Sequence, residues 1–222
     1  MYQQLMKKGE NYAELYEKSG YCQQQTGNYT EAIAMYQKAD LFDTNRKWLL
    51  GKMAQCYLKM TQPAKALDVY LELSQLEPDN MKVHASIGTC YLNLGDYSNA
   101  LEYFYRIEFN DQGTARSMRP VAWCLLTLNR LAEAENYYSQ LLEMEPNAFD
   151  FMNAGHVAFS LRNRQAAAVY YVQSILKRNG DLNSFLRAFI ADKKFLLQNG
   201  VNSEDISLML DFVRIRYQSA KG

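Results

Sequence analysis

Every cysteine in this chain stands 34 residues from the next: Cys22, Cys56, Cys90 and Cys124. A fixed period of that length signals a repeated supersecondary unit and narrows the fold more than any compositional figure. Sliding the sequence by 34 aligns much more. Ala32, Ala66, Ala100, Ala134 and Ala168 share one phase, and four residues on come Tyr36, Tyr70, Phe104, Tyr138 and Val172. An earlier phase holds Gly20, Ala54, Gly88, Ala122 and His156, followed three positions later by Gln23, Tyr57, Tyr91, Leu125 and Phe159. Gly27, Thr61, Gly95, Asn129 and Asn163 mark a break in the middle of each unit.

Each unit reads as two helices. Apolar residues run at helical spacing from Ile87 through Tyr91 to Leu94, stop at Gly95-Asp96, and resume from Tyr97 to Phe109. Gly or Asn at the break suits the left-handed residue that ends a helix. Pro63 falls just after such a break, in a first turn where its missing N–H costs nothing. Small residues let two helices approach, and aromatics one turn away fill the space beside them. A lone hairpin of this length cannot bury such a face, so the units must stack.

The segments "TGNYTEAIAMYQKA", "LGDYSNALEYF" and "LAEAENYYSQLLEMEPNA" resemble the second helix and closing turn of the tetratricopeptide repeat family. The resemblance implies an all-α, right-handed α-solenoid of antiparallel helix pairs, with repeats at 13–46, 47–80, 81–114, 115–148 and 149–182. Gln23, His156, Gln112 and Gly180 depart from the family's pattern. Residues 1–12 keep the phase, with Tyr2 placed 34 before Tyr36, and read as the end of an earlier repeat's helix in a fragment. Residues 183–222 read as a capping helix pair, with Asn183-Ser184 opening one helix and Asn199-Gly200 closing it. The last helix, "NSEDISLMLDFVRIRY", is apolar nearly all round. One face covers the stack, and the other points to a partner, a downstream segment or self-association through 203–222.

The cysteine slot, filled by Ala158 in the fifth unit, asks for a small and mildly apolar side chain. Equivalent sites on stacked helices lie about 8–10 Å or more apart, beyond the ~7 Å Cα reach of a disulfide. Paired cysteines of the zinc-site kind are absent from the sequence, so packing is the expectation and no metal is assigned. His84 occupies a phase that is aromatic or aliphatic elsewhere and is read as core. With no phosphate-cradling glycine loop and no nucleophile elbow, the sequence assigns neither catalytic residues nor a cofactor.

Lys plus Arg equals Asp plus Glu, 24 each, which gives no overall field towards nucleic acid. No apolar run, Val121 to Leu126 included, is long enough to span a bilayer. Localisation follows the N-terminus: cytoplasmic if the start is native, undetermined if it is cut. The resemblance implies a non-catalytic protein-protein interaction scaffold whose first helices line a concave groove for a peptide or protein segment. That lining is expected at Tyr21, Trp48, Lys52, Gln55, Lys59, Lys82, Thr89, Asn93, Arg116, Arg119 and Trp123, joined by Asp150 and Asn153. Its cations favour a partner of acidic character, and Trp123 beside Arg116 and Arg119 has hot-spot composition. Chaperone adaptors of this family hold an acidic tail in a carboxylate clamp. Glu17, Tyr21, Lys52, Lys82 and Ser86 do not supply that clamp's residues, nor do Gly51, Gln55, Ser86, Arg116 and Pro120. The alternatives are a structural spacer or oligomerisation arm of a larger protein, or a peptide-sensing regulatory module.

Overall fold

In the computed structural model, residues 2–42 and 45–219 are described, with side chains from Tyr12 onward. They form twelve α-helices: α1 (Tyr2–Gln25), α2 (Tyr29–Asp40), α3 (Arg46–Lys59), α4 (Pro63–Leu76), α5 (Met81–Leu94), α6 (Tyr97–Asn110), α7 (Ala115–Thr127), α8 (Leu131–Glu143), α9 (Ala148–Ser160), α10 (Arg164–Lys177), α11 (Leu182–Gln198) and α12 (Ser203–Ser219). No strand occurs among the described residues. The odd-numbered helices are the first of each pair and the even-numbered the second. The pairing expected for Tyr2 concerns a side chain outside the described set. The backbone of residues 2–12 is continuous with α1, with no turn between them.

The chain divides into two compact units, 1–103 and 104–222, with the division inside α6. The first unit is built on α1 to α5. Its core joins Ala32, Tyr36, Leu49, Ala54, Ala66, Tyr70, Ile87 and Cys90. The close approach expected between paired helices is visible at Gly20, where an added Cβ would lie 2.7 Å from the Tyr36 ring. Pro63 begins α4, as its place after the break requires.

The second unit holds α7 to α12, and its core runs through Phe159, Tyr171, Phe185, Phe189, Met209 and Val213. Here the fifth pair runs one residue ahead of the 34-residue ruler. Gly155, not His156, meets the aromatic of the second helix, and that aromatic is Tyr171, not Val172; an added Cβ on Gly155 would lie 2.5 Å from its ring. The left-handed residue is Arg162, at φ 67, rather than Asn163. Asn163 instead caps α10 by accepting from the Ala166 amide at 3.1 Å. The slot two beyond the glycine is therefore Val157, buried like Cys56, Cys90 and Cys124, and not Ala158.

Pro120 lies inside α7, which opens at the Thr114 cap six residues earlier. The helix runs through it and gives up the hydrogen bond that the proline cannot donate to the Arg116 carbonyl. At the C-terminal pair, Asp181 caps α11 by accepting from the Ser184 amide at 2.9 Å, two residues before the expected Asn183-Ser184 start. Asn199 and Gly200, the latter at φ 82, close α11 as expected. On α12, Ile206, Met209 and Val213 are buried, whereas Leu208, Phe212 and Ile215 are exposed. No helix of the described residues is long and apolar enough to cross a membrane.

Candidate binding faces

In the first unit, α1 and α3 place Tyr21, Trp48 and Lys52 together. The spacing of four between Trp48 and Lys52 puts both on one side of α3. The Lys52 ammonium lies 5.5 Å from the Tyr21 ring centroid and 5.4 Å from that of Trp48, in cation–π range of both. Trp48 stands edge-on to the buried Tyr36 at 5.7 Å and 89°. Its inner edge is thus packing, yet 41 % of the residue is exposed, as is 45 % of Tyr21. Tyr36 itself donates to Gln24 Oε1 at 2.8 Å, and burial pushes its phenol up to about 12. Gln55, Lys59, Lys82, Thr89 and Asn93 are exposed on the same series of first helices. Thr89 bonds back to the Ala85 carbonyl of its own helix at 2.8 Å.

In the second unit, α7, α8, α9 and α11 enclose an open groove of about 460 Å³. Trp123 and Phe149 form its aromatic walls, Tyr138 and Asn153 also line it, and Asp192 of α11 brings a carboxylate. Trp123 is half-buried, edge-on to Phe195 at 5.1 Å and 83°. Arg119 also lines the groove, but its guanidinium is engaged. Nε lies 3.0 Å from each oxygen of Asp150, and Nη2 donates to the Glu145 carbonyl at 2.8 Å. Asp150 is 2 % exposed and accepts the Asn147 amide at 2.9 Å, while Asn147 Oδ1 accepts the amides of Phe149 and Asp150. Arg119 thus buttresses the capping box that starts α9. Arg116 is exposed and lies outside the groove lining.

Behind the groove, His156 is 1 % exposed. Its Nδ1 is 2.9 Å from the Tyr171 hydroxyl and its Nε2 is 3.6 Å from Asp192 Oδ2. Burial raises the phenols of Tyr138 and Tyr171 far above their ordinary range, with the Asp192 charge adding to both. Arg178 stacks on Phe149, its guanidinium carbon 4.4 Å from the ring centroid. Burial lowers its pKa while Asp181 and Asp192 pull the other way.

Family models described as tetratricopeptide repeat match residues 5–39, 23–85, 82–107 and 121–148, more than half of the chain. The chain belongs to the tetratricopeptide repeat family. Solved structures agree on the fold. YrrB, described as a TPR protein with an unusual peptide-binding site, is 20% identical, covers 85% of this chain and 97% of its own, and has a TM-score of 0.69. MamA 41-end from Desulfovibrio magneticus RS-1 is 14% identical over 77% of this chain and 97% of its own, with a TM-score of 0.70. A further MamA structure is 16% identical over 77% of this chain and 93% of its own, with a TM-score of 0.68. At these identities the likeness is one of fold. No curated protein matches the chain in sequence.

Within these tetratricopeptide repeats, the expected lining residues divide in two. Tyr21, Trp48 and Lys52 are brought into one cluster. Of Arg116, Arg119 and Trp123, expected to act together, the last two line one groove and Arg116 lies outside it. Arg119 is no free cation, because the next first helix carries Asp150 opposite it, and Trp123 is partly covered by Phe195 of α11. Sequence reasoning missed Phe149 and Asp192. Phe149 adjoins Asp150, which the lining series included; Asp192 lies where the repeat consensus has ended. Cys56, Cys90 and Cys124 are fully buried, and all four cysteines are free thiols. Cys22 is exposed on α1, the first helix among the described residues. His84 is in the core, edge-on to Tyr103 at 5.7 Å. Among the described residues no group of three His, Cys, Asp or Glu converges to hold a metal ion.

Proposed function

We propose that this tetratricopeptide repeat chain is a non-catalytic scaffold that binds a peptide or protein segment on the exposed side of its first helices. The observation that carries the reading is the Tyr21–Lys52–Trp48 cluster, which leaves two large aromatic rings open to solvent around a lysine. Exposed aromatics beside a long cation are what partner surfaces use as anchors. Lys59 and Lys82 lie exposed on the same unit's first helices, so the segment bound there has acidic character. YrrB, with its described peptide-binding site, supports the reading by likeness of fold.

The test is quantitative affinity capture from the native source with the parent chain and with Lys52→Glu. The variant leaves the buried contacts of Trp48 in place, so its melting temperature stays within about 2 °C. Specific partners drop at least severalfold. Equal recovery on both baits refutes the assignment of this face.

A second reading, an oligomerisation arm, is favoured by Leu208, Phe212 and Ile215, exposed on α12. Deleting 203–222 would strip Ile206, Met209 and Val213 from the core, so the test replaces exposed residues instead. Under this reading, Leu208→Lys with Ile215→Lys converts a dimer to a monomer in light scattering. A parent that is already monomeric at high concentration ends it.

A further inference from the structure

We infer that the groove of the second unit takes a basic side chain, the ammonium of a lysine or the guanidinium of an arginine in the bound segment, with Asp192 as counter-charge. This rests on the reading of the first helices as binding faces and narrows it for this unit. The expectation from sequence was the opposite, an acidic contact at Arg116 and Arg119.

The charged groups that line the groove are Arg119, Asp150 and Asp192. The first two satisfy each other. Both oxygens of Asp150 lie 3.0 Å from Arg119 Nε, one also takes the Asn147 amide, and Arg119 Nη2 is spent on the Glu145 carbonyl. What remains is one carboxylate. Asp192 accepts no hydrogen bond from the described residues; His156 Nε2 faces it at 3.6 Å, outside hydrogen-bonding distance. An anion entering here would meet Asp192 with the arginine already occupied.

The other linings fit a cation as well. Trp123 and Phe149 line it with aromatic rings, whose quadrupoles attract positive charge. Asn153 Oδ1 is buried with no hydrogen-bond partner among the described residues. A buried carbonyl oxygen in this state calls for a donor, and ammonium and guanidinium groups carry donors only. Arg178 also sends part of its field towards Asp192, but it lies on Phe149 outside the lining. The volume of about 460 Å³ is in the range of small-ligand sites.

The test uses the whole chain with Trp48→Phe, which leaves Trp123 as the single tryptophan. Three blocked pentapeptides, identical except for lysine, norleucine or glutamate at the centre, are titrated while the Trp123 indole N–H is followed by NMR. The lysine peptide binds at least about fivefold more tightly than the norleucine peptide, and the glutamate peptide binds weakest. Asp192→Asn removes the lysine advantage and leaves norleucine binding as it was. If that variant does not fold, the three-peptide ranking on the unmutated carboxylate still decides. Lysine and norleucine binding equally, or glutamate binding best, overturns the cation assignment while the saturating Trp123 signal keeps the groove as a binding face. If no peptide moves Trp123, both the assignment and the groove reading for this unit fail.

Discussion

Arg119 on α7 grips Asp150 on α9 with Nε 3.0 Å from each carboxylate oxygen, and the gripped carboxylate caps the helix it belongs to. Removing the arginine leaves a buried charge with one amide for company. Arg119→Ala is expected to cost about 2–3 kcal/mol in urea denaturation. Arg116→Ala, three residues away and exposed, changes stability by less than about 0.5 kcal/mol. Similar losses for both would show that the pair does not support α9.

A methyl group tells the same story at the helix contacts. Gly155→Ala drives a Cβ to 2.5 Å from Tyr171, a ring held by Phe185, Phe189 and the bond to His156. Nothing there yields cheaply, so the substitution destabilises by about 2–3 kcal/mol. Gly51→Ala on α3 meets its nearest neighbour only at 3.9 Å, and the better helix former stabilises by up to about 1 kcal/mol. Thermal melts of the two variants should move in opposite directions.

The thiols divide by burial. Burial raises Cys56, and pushes Cys90 up to about 11 and Cys124 up to about 12, from an ordinary value of 9.0. At pH 8 these three hold almost no thiolate, while exposed Cys22 reacts. A chromogenic disulfide reagent should titrate one thiol quickly and the rest on denaturation.

The same shifts make the fold sensitive to alkali. A group whose folded pKa lies above its unfolded value stays neutral in the fold while the unfolded chain ionises. Its contribution is complete below the unfolded pKa and is lost as pH rises through the folded one. With Cys90 and Cys124 starting from 9.0 and Tyr36 from 10.0, stability should fall progressively from about pH 9 to pH 12. Melting temperatures across that range check it; a flat profile would contradict it.

The repeat was legible because each phase is a physical contact. Gly20 exists for Tyr36, and Cys56, Cys90 and Cys124 fill buried slots. The fifth pair departs from the ruler by one residue without showing it, because the run Ala166-Ala167-Ala168 keeps an alanine on phase at either register. At the site, Arg119 and Asp150 were both recognisable as lining residues. Their mutual engagement was not, since it depends on the turn between α8 and α9 setting the two helices opposite each other. Asp192 sits beyond the last consensus repeat, where no phase points to it.

Stacked arrays ordinarily come apart from their ends, where a pair has a neighbour on one side only. Here the Asn199 amide reaches back 73 residues to the Leu126 carbonyl at 3.1 Å, skipping the fifth pair. Arg162 meanwhile donates to the Gly200 carbonyl at 2.7 Å. The final hairpin is therefore fastened at its hinge to two earlier ones, and peeling it away means breaking into the middle of the unit. Fraying at this terminus and opening of α7 become one event, so slow amide exchange should reach the closing turn of the array instead of fading towards it.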